Sequence, residues 1–270
     1  MCELFAMSSS RPTALTYSLP EFSKNGSALR SNRDGFGIAL ARDKDAIVVK
    51  EPETADDNIW VRFIAEHAID TQLAIAHVRY ATRGAGSMQN THPFRRALGG
   101  RTHLFAHNGT LKDIDNAVED SALHYQPLGE TDSERAFCWL LTRLRPLYVA
   151  GQVPTLDERF AVFSEFCADM KELGTCNFLY HDGEVLFAHA HRRIWEENGE
   201  LTDAKPPGLS MKRCMLCAAQ KELHTSGLDV AFESERTILL ASVPLDADGW
   251  EPLDEGSVVA IQNGELVKLG

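Results

Sequence analysis

Nowhere does the 270-residue sequence hold the run of roughly 18 apolar residues that a membrane span requires. The N-terminus also lacks the basic-then-apolar order of a secretory signal. Basic residues are in short supply, 27 Lys and Arg against 39 Asp and Glu, for a formal net charge of −12. An acidic surface of this kind repels phosphate backbones and anionic lipid, which sets aside nucleic acid and membrane as partners. Cysteine is sparse and unclustered: six residues without a signal read as reduced thiols of a cytoplasmic protein rather than a disulfide scaffold. Repeats and low-complexity tracts are missing too, so residues 1–270 read as a single domain, and 44% hydrophobic residues can give it a sizeable core.

What is present follows a strand, helix, strand order. Residues 2–7 read as a short strand starting almost at the chain terminus, before a turn-prone stretch at 8–12. Residues 36–41 and 46–49 read as hairpin partners. Residues 59–67 suit a short helix with Ile59, Phe63 and Ile64 on its apolar face. Residues 73–78 and 104–107 are apolar runs that end in polar residues, as buried strands leading into sites often do. From Thr131 the period becomes 3.6, with Ala136, Phe137, Leu140, Leu141, Leu144 and Tyr148 on one face and Gly151 as a stop. A second helix over 156–173 carries Phe160, Phe163, Cys167 and Met170 on its stripe and ends at Gly174, and the two should pack together. Strands return at 175–180 and 185–190 around Asp182-Gly183, then at 213–219, 237–243 and 258–262, with Asn263-Gly264 as a final hairpin turn and 196–207 as a surface loop. This order predicts an α+β domain with helices packed on sheets.

Cys2 is the most informative residue. A side chain this small permits removal of Met1, which would leave a thiol and a free α-amine on one residue. The amine titrates at roughly 7.7–8.0 and the thiol at roughly 8.5, so near neutral pH the amine can act as the thiol's general base. Taken alone, Cys2 would read as a small core cysteine on an edge strand. Its company changes that reading: His77-Val78-Arg79-Tyr80-Ala81-Thr82-Arg83-Gly84 after one buried strand, then Asn90-Thr91-His92-Pro93, His107-Asn108-Gly109 at the end of the next strand, and Thr131-Asp132-Ser133-Glu134 opening the long helix.

With Cys2, these segments resemble in order and spacing the motifs of the class II, N-terminal-nucleophile glutamine amidotransferases, written approximately R-W/Y-A-T-H-G, N-x-H-P, H-N-G and S-D-S/T-E. Among them the chain is most similar to the stand-alone YafJ type, which lacks a synthase domain. The resemblance implies a four-layer αββα N-terminal-nucleophile hydrolase fold and cleavage of the γ-amide of L-glutamine through a Cys2 γ-glutamyl thioester. It implies no cofactor and no metal, and a separate synthase subunit as a partner that would use the ammonia. A γ-glutamyl peptide or conjugate hydrolase with the same site is the alternative, and a non-catalytic glutamine-sensing module a third reading that the intact nucleophile argues against.

Carried onto this sequence, the family's roles give Arg79 the substrate carboxylate, which suits a planar bidentate guanidinium. Thr82 would contact the same carboxylate. Asp132 would take the substrate ammonium, although Thr131-x-x-Glu134 also reads as a capping box in which Asp132 sits at the positive end of the helix. Asn108 and Gly109 would form the oxyanion hole, although an Asn-Gly pair alone reads as a turn. His107 joins the substrate-binding set, supporting the site rather than acting as a base, since the terminal amine fills that role.

Two departures from the family pattern, Arg83 for the usual histidine and Glu3 for the usual glycine, should alter the pocket rim. Asp34-Gly35-Phe36-Gly37 reads as a tight turn near the nucleophile. Cys214-Met215-Leu216-Cys217 lacks a second cysteine pair for zinc and reads as strand core. His181, His189 and His191 lack an acidic partner at ligand spacing.

Overall fold

The structure, a computed structural model, describes residues 2–26, 34–55, 58–81, 83–149, 152–197, 200–216 and 235–270. Thr82, Gly151 and Cys217 lie outside these residues.

The first half of the chain builds most of one sheet around the N-terminal strand. Its elements are β1 (Glu3–Ala14), α1 (Ser18–Ser23), β2 (Phe36–Arg42), β3 (Asp45–Glu51), α2 (Ile59–Glu66) and β4 (Asp70–Val78). The chain then crosses to a second sheet through β5 (Phe94–Leu98) and β6 (Arg101–Leu111), passes α3 (Ile114–Ala117), α4 (Asp132–Leu144) and α5 (Leu156–Leu173), and returns with β7 (Gly174–His181) and β8 (Leu186–His189). A short ribbon follows, β9 (Glu196–Glu197) with β10 (Glu200–Leu201), and then β11 (Ser210–Leu216), β12 (Glu235–Ala241), β13 (Trp250–Pro252), β14 (Val258–Gln262) and β15 (Glu265–Leu269). The larger sheets have strand orders β13-β11-β12-β1-β4-β2-β3 and β15-β14-β8-β7-β6-β5, and their paired strands are antiparallel.

Three apolar layers show how these elements stack. Leu4 and Ala6 of β1, Ile75 of β4, Leu104 and Ala106 of β6 and Leu179 of β7 meet between the sheets. Phe5, Met7, Ala74 and Ala76 point the other way, against Leu19 and Phe22 of α1 and Val61 and Ile64 of α2. Phe105 and Phe178 leave the opposite face of the second sheet to pack on Phe137, Leu140 and Leu141 of α4 and Phe163 and Phe166 of α5. The result is the four-layer αββα arrangement. The period-2 alternation of each strand sends one set of side chains to each side, so both sheets are buried twice.

The elements differ from expectation in instructive places. β1 runs on through the turn-prone Ser8 to Pro12: β12 pairs with it as far as Ser9, and the pairing with β4 shifts register between Ser8 and Thr13 and resumes instead of ending. α2 lies where expected but buries Val61 and Ile64, whereas Ile59 and Phe63 are exposed. α5 matches at both ends: Thr155 and Glu158 form a reciprocal capping box, and Gly174 closes the helix. The capping box expected at α4 forms by half. Thr131 Oγ1 accepts the Glu134 N–H at 3.2 Å, but the Glu134 carboxylate turns away to Arg96 and the N–H groups of Leu128 and Gly129. The 196–207 loop contains the small β9–β10 ribbon, and β5 and β13 lack a recognisable sequence signal.

Candidate active site

Cys2 sits one residue ahead of β1, so strand alternation places it on the same face as Leu4, between the sheets. The residues that follow β4 hold it there. Its thiol donates to the Tyr80 carbonyl at 3.3 Å and accepts the Tyr80 N–H at 3.2 Å. Burial pushes the thiol up to about 11, so the group is a neutral thiol at physiological pH and needs a base at hand to become a nucleophile. From the second sheet, the Asn108 side-chain amide donates to the Cys2 carbonyl, and its own Oδ1 has no hydrogen-bond partner among the described residues. The next residue, Gly109, has φ +155°, and a Cβ there would come within 1.9 Å of the Thr175 carbonyl oxygen. Only glycine fits this close crossing of β6 and β7.

The segment carrying Arg79 is clamped by the turn before β2. Arg79 N–H donates to the Gly35 carbonyl at 2.7 Å, Asp34 N–H to the Arg79 carbonyl at 3.2 Å, and Ala81 N–H to Asp34 Oδ2 at 2.7 Å. The Arg79 guanidinium is buried, and its donors reach the carbonyls of Asp34, Arg83 and Gly84 at 2.9 to 3.2 Å. It has no carboxylate partner among the described residues. A buried cation satisfied only by carbonyl dipoles keeps its full charge for an anion.

Asp132, the first residue of α4, is buried as well. Its Oδ2 accepts the Leu111 N–H at 2.7 Å and its Oδ1 the Ser133 N–H at 3.0 Å, and no cation pairs with it among the described residues. Beside it, His107 Nε2 contacts the Thr175 carbonyl at 3.2 Å and Nδ1 contacts Ser133 Oγ at 2.9 Å. A carbonyl can only accept, so Nε2 carries the proton, and Nδ1 at 2.9 Å shares the single Ser133 hydroxyl proton with Asp132 Oδ1 at 3.4 Å. Burial keeps His107 below the usual histidine range despite the nearby Asp132 carboxylate. Both ring nitrogens are spent on the protein, and His107 therefore holds the strand end against the helix start.

Cys2, Arg79, His107, Gly109 and Asp132 line one small cavity of about 20 Å³, together with Arg83 and Ser133. Asn108 borders it through its bond to Cys2. Thr82 lies outside the described residues. The two departures from the family pattern separate. Arg83 does stand at the rim, with its guanidinium on Asp115 at 2.6 Å in a half-exposed pair worth about 0–1 kcal/mol. Glu3 does not: the alternation that aims Cys2 between the sheets turns Glu3 to the opposite face, where it binds Arg193 at 2.6 Å and Ser242 Oγ at 2.6 Å.

Several supporting residues went unrecognised in the sequence. Asp34 and Ser133 are two. Asn90 is a third, since its amide donates to the Ala85 carbonyl and its Oδ1 accepts the Glu130 N–H, tying the rim loop to the approach to α4. Their motif positions hinted at importance, but their roles depend on contacts far away in sequence. The His77 and His92 rings lie 4.1 Å apart, burial holds His77 down to about 3 and lowers His92 as well, and His92 also lines the cavity around Cys2. Among the described residues there is no cluster of metal-ligating side chains, and no helix is long and apolar enough to cross a membrane.

Comparison with known proteins agrees with this arrangement. The family model for class II glutamine amidotransferases matches residues 1–270. YafJ of Escherichia coli K12, which carries a glutamine amidotransferase name, is 32% identical over 196 residues, 72% of this chain and 74% of its own. A crystal structure from Pseudomonas aeruginosa PA01, described as of a glutamine amidotransferase, superposes with TM-score 0.65 at 24% identity, covering 99% of this chain and all of the other. Glutamine phosphoribosylpyrophosphate amidotransferase from Bacillus subtilis superposes with TM-score 0.61 at 15% identity, covering this whole chain with 49% of its own. These likenesses place the four layers in the N-terminal-nucleophile hydrolase fold.

Proposed function

Because the chain belongs to the class II glutamine amidotransferases, we propose that it cleaves the γ-amide of L-glutamine at Cys2, with Met1 removed to free the α-amine. The amine takes the thiol proton and the sulfur attacks the γ-carbonyl carbon. The oxyanion forms against the Asn108 amide and the Gly109 N–H, donors that are each worth about 2.7–4 kcal/mol of barrier in acyl transfer. The C–N bond breaks as the amine returns the proton to the departing ammonia, and water then hydrolyses the γ-glutamyl thioester to glutamate.

Arg79 holds the substrate carboxylate, Thr82 assists it, and Asp132 holds the ammonium. His107 keeps Asp132 and Gly109 in register. Ammonia passes to an acceptor on a separate synthase subunit, and the reaction takes place in the cytoplasm. The observation that carries this reading is the meeting, around one thiol, of a buried cation and a buried carboxylate, neither with an ion-pair partner among the described residues: a clamp complementary to a zwitterion.

The test is turnover of amide-labelled glutamine by the mature protein. Equal amounts of glutamate and labelled ammonia are expected, with turnover lost in Cys2→Ala at unchanged folding. Full activity in Cys2→Ala would overturn the assignment.

A further inference from the structure

Glu3 stands where the family pattern has glycine, and its side chain makes contacts that glycine cannot. One carboxylate oxygen accepts from Arg193 at 2.6 Å and the other from the Ser242 hydroxyl at 2.6 Å. Arg193 also donates to the Ser242 carbonyl at 2.5 Å, which closes the three residues into a ring. Ser242 grips the next residue of β1 twice: its Oγ accepts the Leu4 N–H at 2.8 Å, and its own N–H donates to the Leu4 carbonyl at 3.0 Å. Glu3 and Arg193 are each 4% exposed and Ser242 1%, so water does not compete for these bonds.

Their place in the fold matters as much as the contacts. β4 pairs with β1 up to Glu3, but β12 stops pairing at Phe5 and ends at Ala241. Without Ser242 and the ion pair behind it, the residues before Phe5 would be held along one edge of the strand only. A chain terminus frays unless it is tied down, and after removal of Met1 that terminus is Cys2 itself. Arg193 is fixed in turn from its far side: its N–H and carbonyl bond to the Lys205 backbone at 3.1 and 2.9 Å, and its guanidinium lies 4.4 Å over the Trp195 ring. The neighbouring Arg192 and Ile194 line a second cavity of about 840 Å³, which also takes in Lys112 and Lys171 and shares Tyr80 with the cavity around Cys2. The ring of bonds at Glu3 therefore bolts the start of the chain to the wall of that larger cavity.

We propose that Glu3, Arg193 and Ser242 are positioning residues for the nucleophile, which hold the end of β1 so that the Cys2 thiol and α-amine meet the γ-carbonyl of bound glutamine in line. Their role rests on Cys2 being the nucleophile and adds to that reading what fixes it in place. None of the three lines the cavity around Cys2, so they act through the backbone of β1 and leave the hold on substrate to Arg79 and Asp132. Attack and proton transfer within one residue depend on near-contact geometry, and a displacement of about 1 Å can cost about a hundredfold in rate. Loosening the ring of bonds should therefore lower kcat and spare KM.

The experiment is steady-state kinetics on glutamine with the full mature chain, well below the melting transition of each variant. Ser242→Ala removes the hydroxyl that joins Glu3 to the Leu4 N–H, and Glu3→Gln keeps the side-chain shape while removing its charge. Each should lower kcat about ten- to a hundredfold, with KM within about twofold of the parent. Ser9→Ala is the control. There the Thr237 hydroxyl donates to Ser9 Oγ at 3.0 Å across the same two strands, at the other end of their pairing, so its loss should lower the melting temperature and leave kcat at the parent value. Parent kcat in Ser242→Ala or Glu3→Gln, a rise in KM in place of the fall in kcat, or an equal fall in kcat in Ser9→Ala would overturn the positioning role and leave Cys2 as the nucleophile. A parent chain that begins at Cys2 and turns over no glutamine would overturn both.

Discussion

The carboxylate of Asp132 accepts the backbone N–H of Leu111 at 2.7 Å, which ties the first turn of α4 to the strand that supplies Asn108 and Gly109. One residue thus fixes the spacing between the helix and β6 while its carboxylate has no ion-pair partner among the described residues. In Asp132→Asn the amide oxygen can still accept from Leu111, while the amide nitrogen cannot accept from the Ser133 N–H, so the tie to β6 should persist and the charge and that one local bond should be lost. A hydrogen bond to a charged group is worth about 1.5–3 kcal/mol, so KM for glutamine should rise about ten- to a hundredfold with unchanged helix content. Steady-state kinetics beside circular dichroism would show it. Lost helicity with unchanged KM would mean that Asp132 only starts the helix.

Arg79→Lys keeps the charge but loses the fork that spans the carbonyls of Asp34, Arg83 and Gly84. KM for glutamine should increase by about tenfold or more, the value of a charge-assisted contact. Glutamine analogues with an amidated α-carboxyl should bind the variant and the parent equally weakly. Retention of the parent KM in the lysine variant would remove Arg79 from the clamp.

The Glu3 and Arg193 pair makes the opposite kind of prediction, on stability rather than substrate. Both side chains are almost fully buried, and Arg193 also donates to the Ser242 carbonyl. Glu3→Ala strands a buried guanidinium, a loss of about 3–5 kcal/mol. In a chain of this size the melting temperature should fall on the order of 10 °C. Below the transition KM for glutamine should change little, because the Glu3 side chain faces away from Cys2. A large KM change at an unchanged melting temperature would put Glu3 back at the rim.

Acid should destabilise the fold earlier than carboxylate protonation alone would. Burial lowers His77 to about 3 and His103, His181 and His189 to about 4, and lowers His92 and His107 as well. The unfolded chain, with histidines near 6.5, takes up protons that the folded chain refuses, so stability is full above about pH 6.5 and declines as pH falls toward 4. Denaturant midpoints measured from pH 7.5 to 4.5 should begin to fall near pH 6.5. A flat profile down to pH 5 would show that these rings are protonated in the folded protein.

How much of this was visible in advance varied with how local the information is. α5 was legible from end to end because its apolar stripe and Gly174 are local signals, to which the structure adds the Thr155 and Glu158 capping box, and the hairpin at Asp182-Gly183 lies where its dipeptide marks it. The turn propensity of Ser8 to Pro12 misled at its start, because β4 pairs with Ser8 and β12 with Ser8 and Ser9. Cys2, Arg79, Asn108, Gly109 and Asp132 could be nominated from motif order and do gather at one place. The rim role expected of Glu3 failed on a single-residue strand alternation. Lys112, Lys171 and Arg192 carry no motif, since three separate elements bring them to one cavity and only the fold shows them together.

The central claim is that Cys2, as the first residue of the mature chain, is the nucleophile. Its most direct test is a peptide mass map of the protein after exposure to a glutamine-like diazo ketone. The account predicts an N-terminal peptide that begins at Cys2 with a free α-amine and carries one label, on the sulfur. A label on Cys214 or Cys217, or a labelled terminal peptide that still holds Met1, would contradict it.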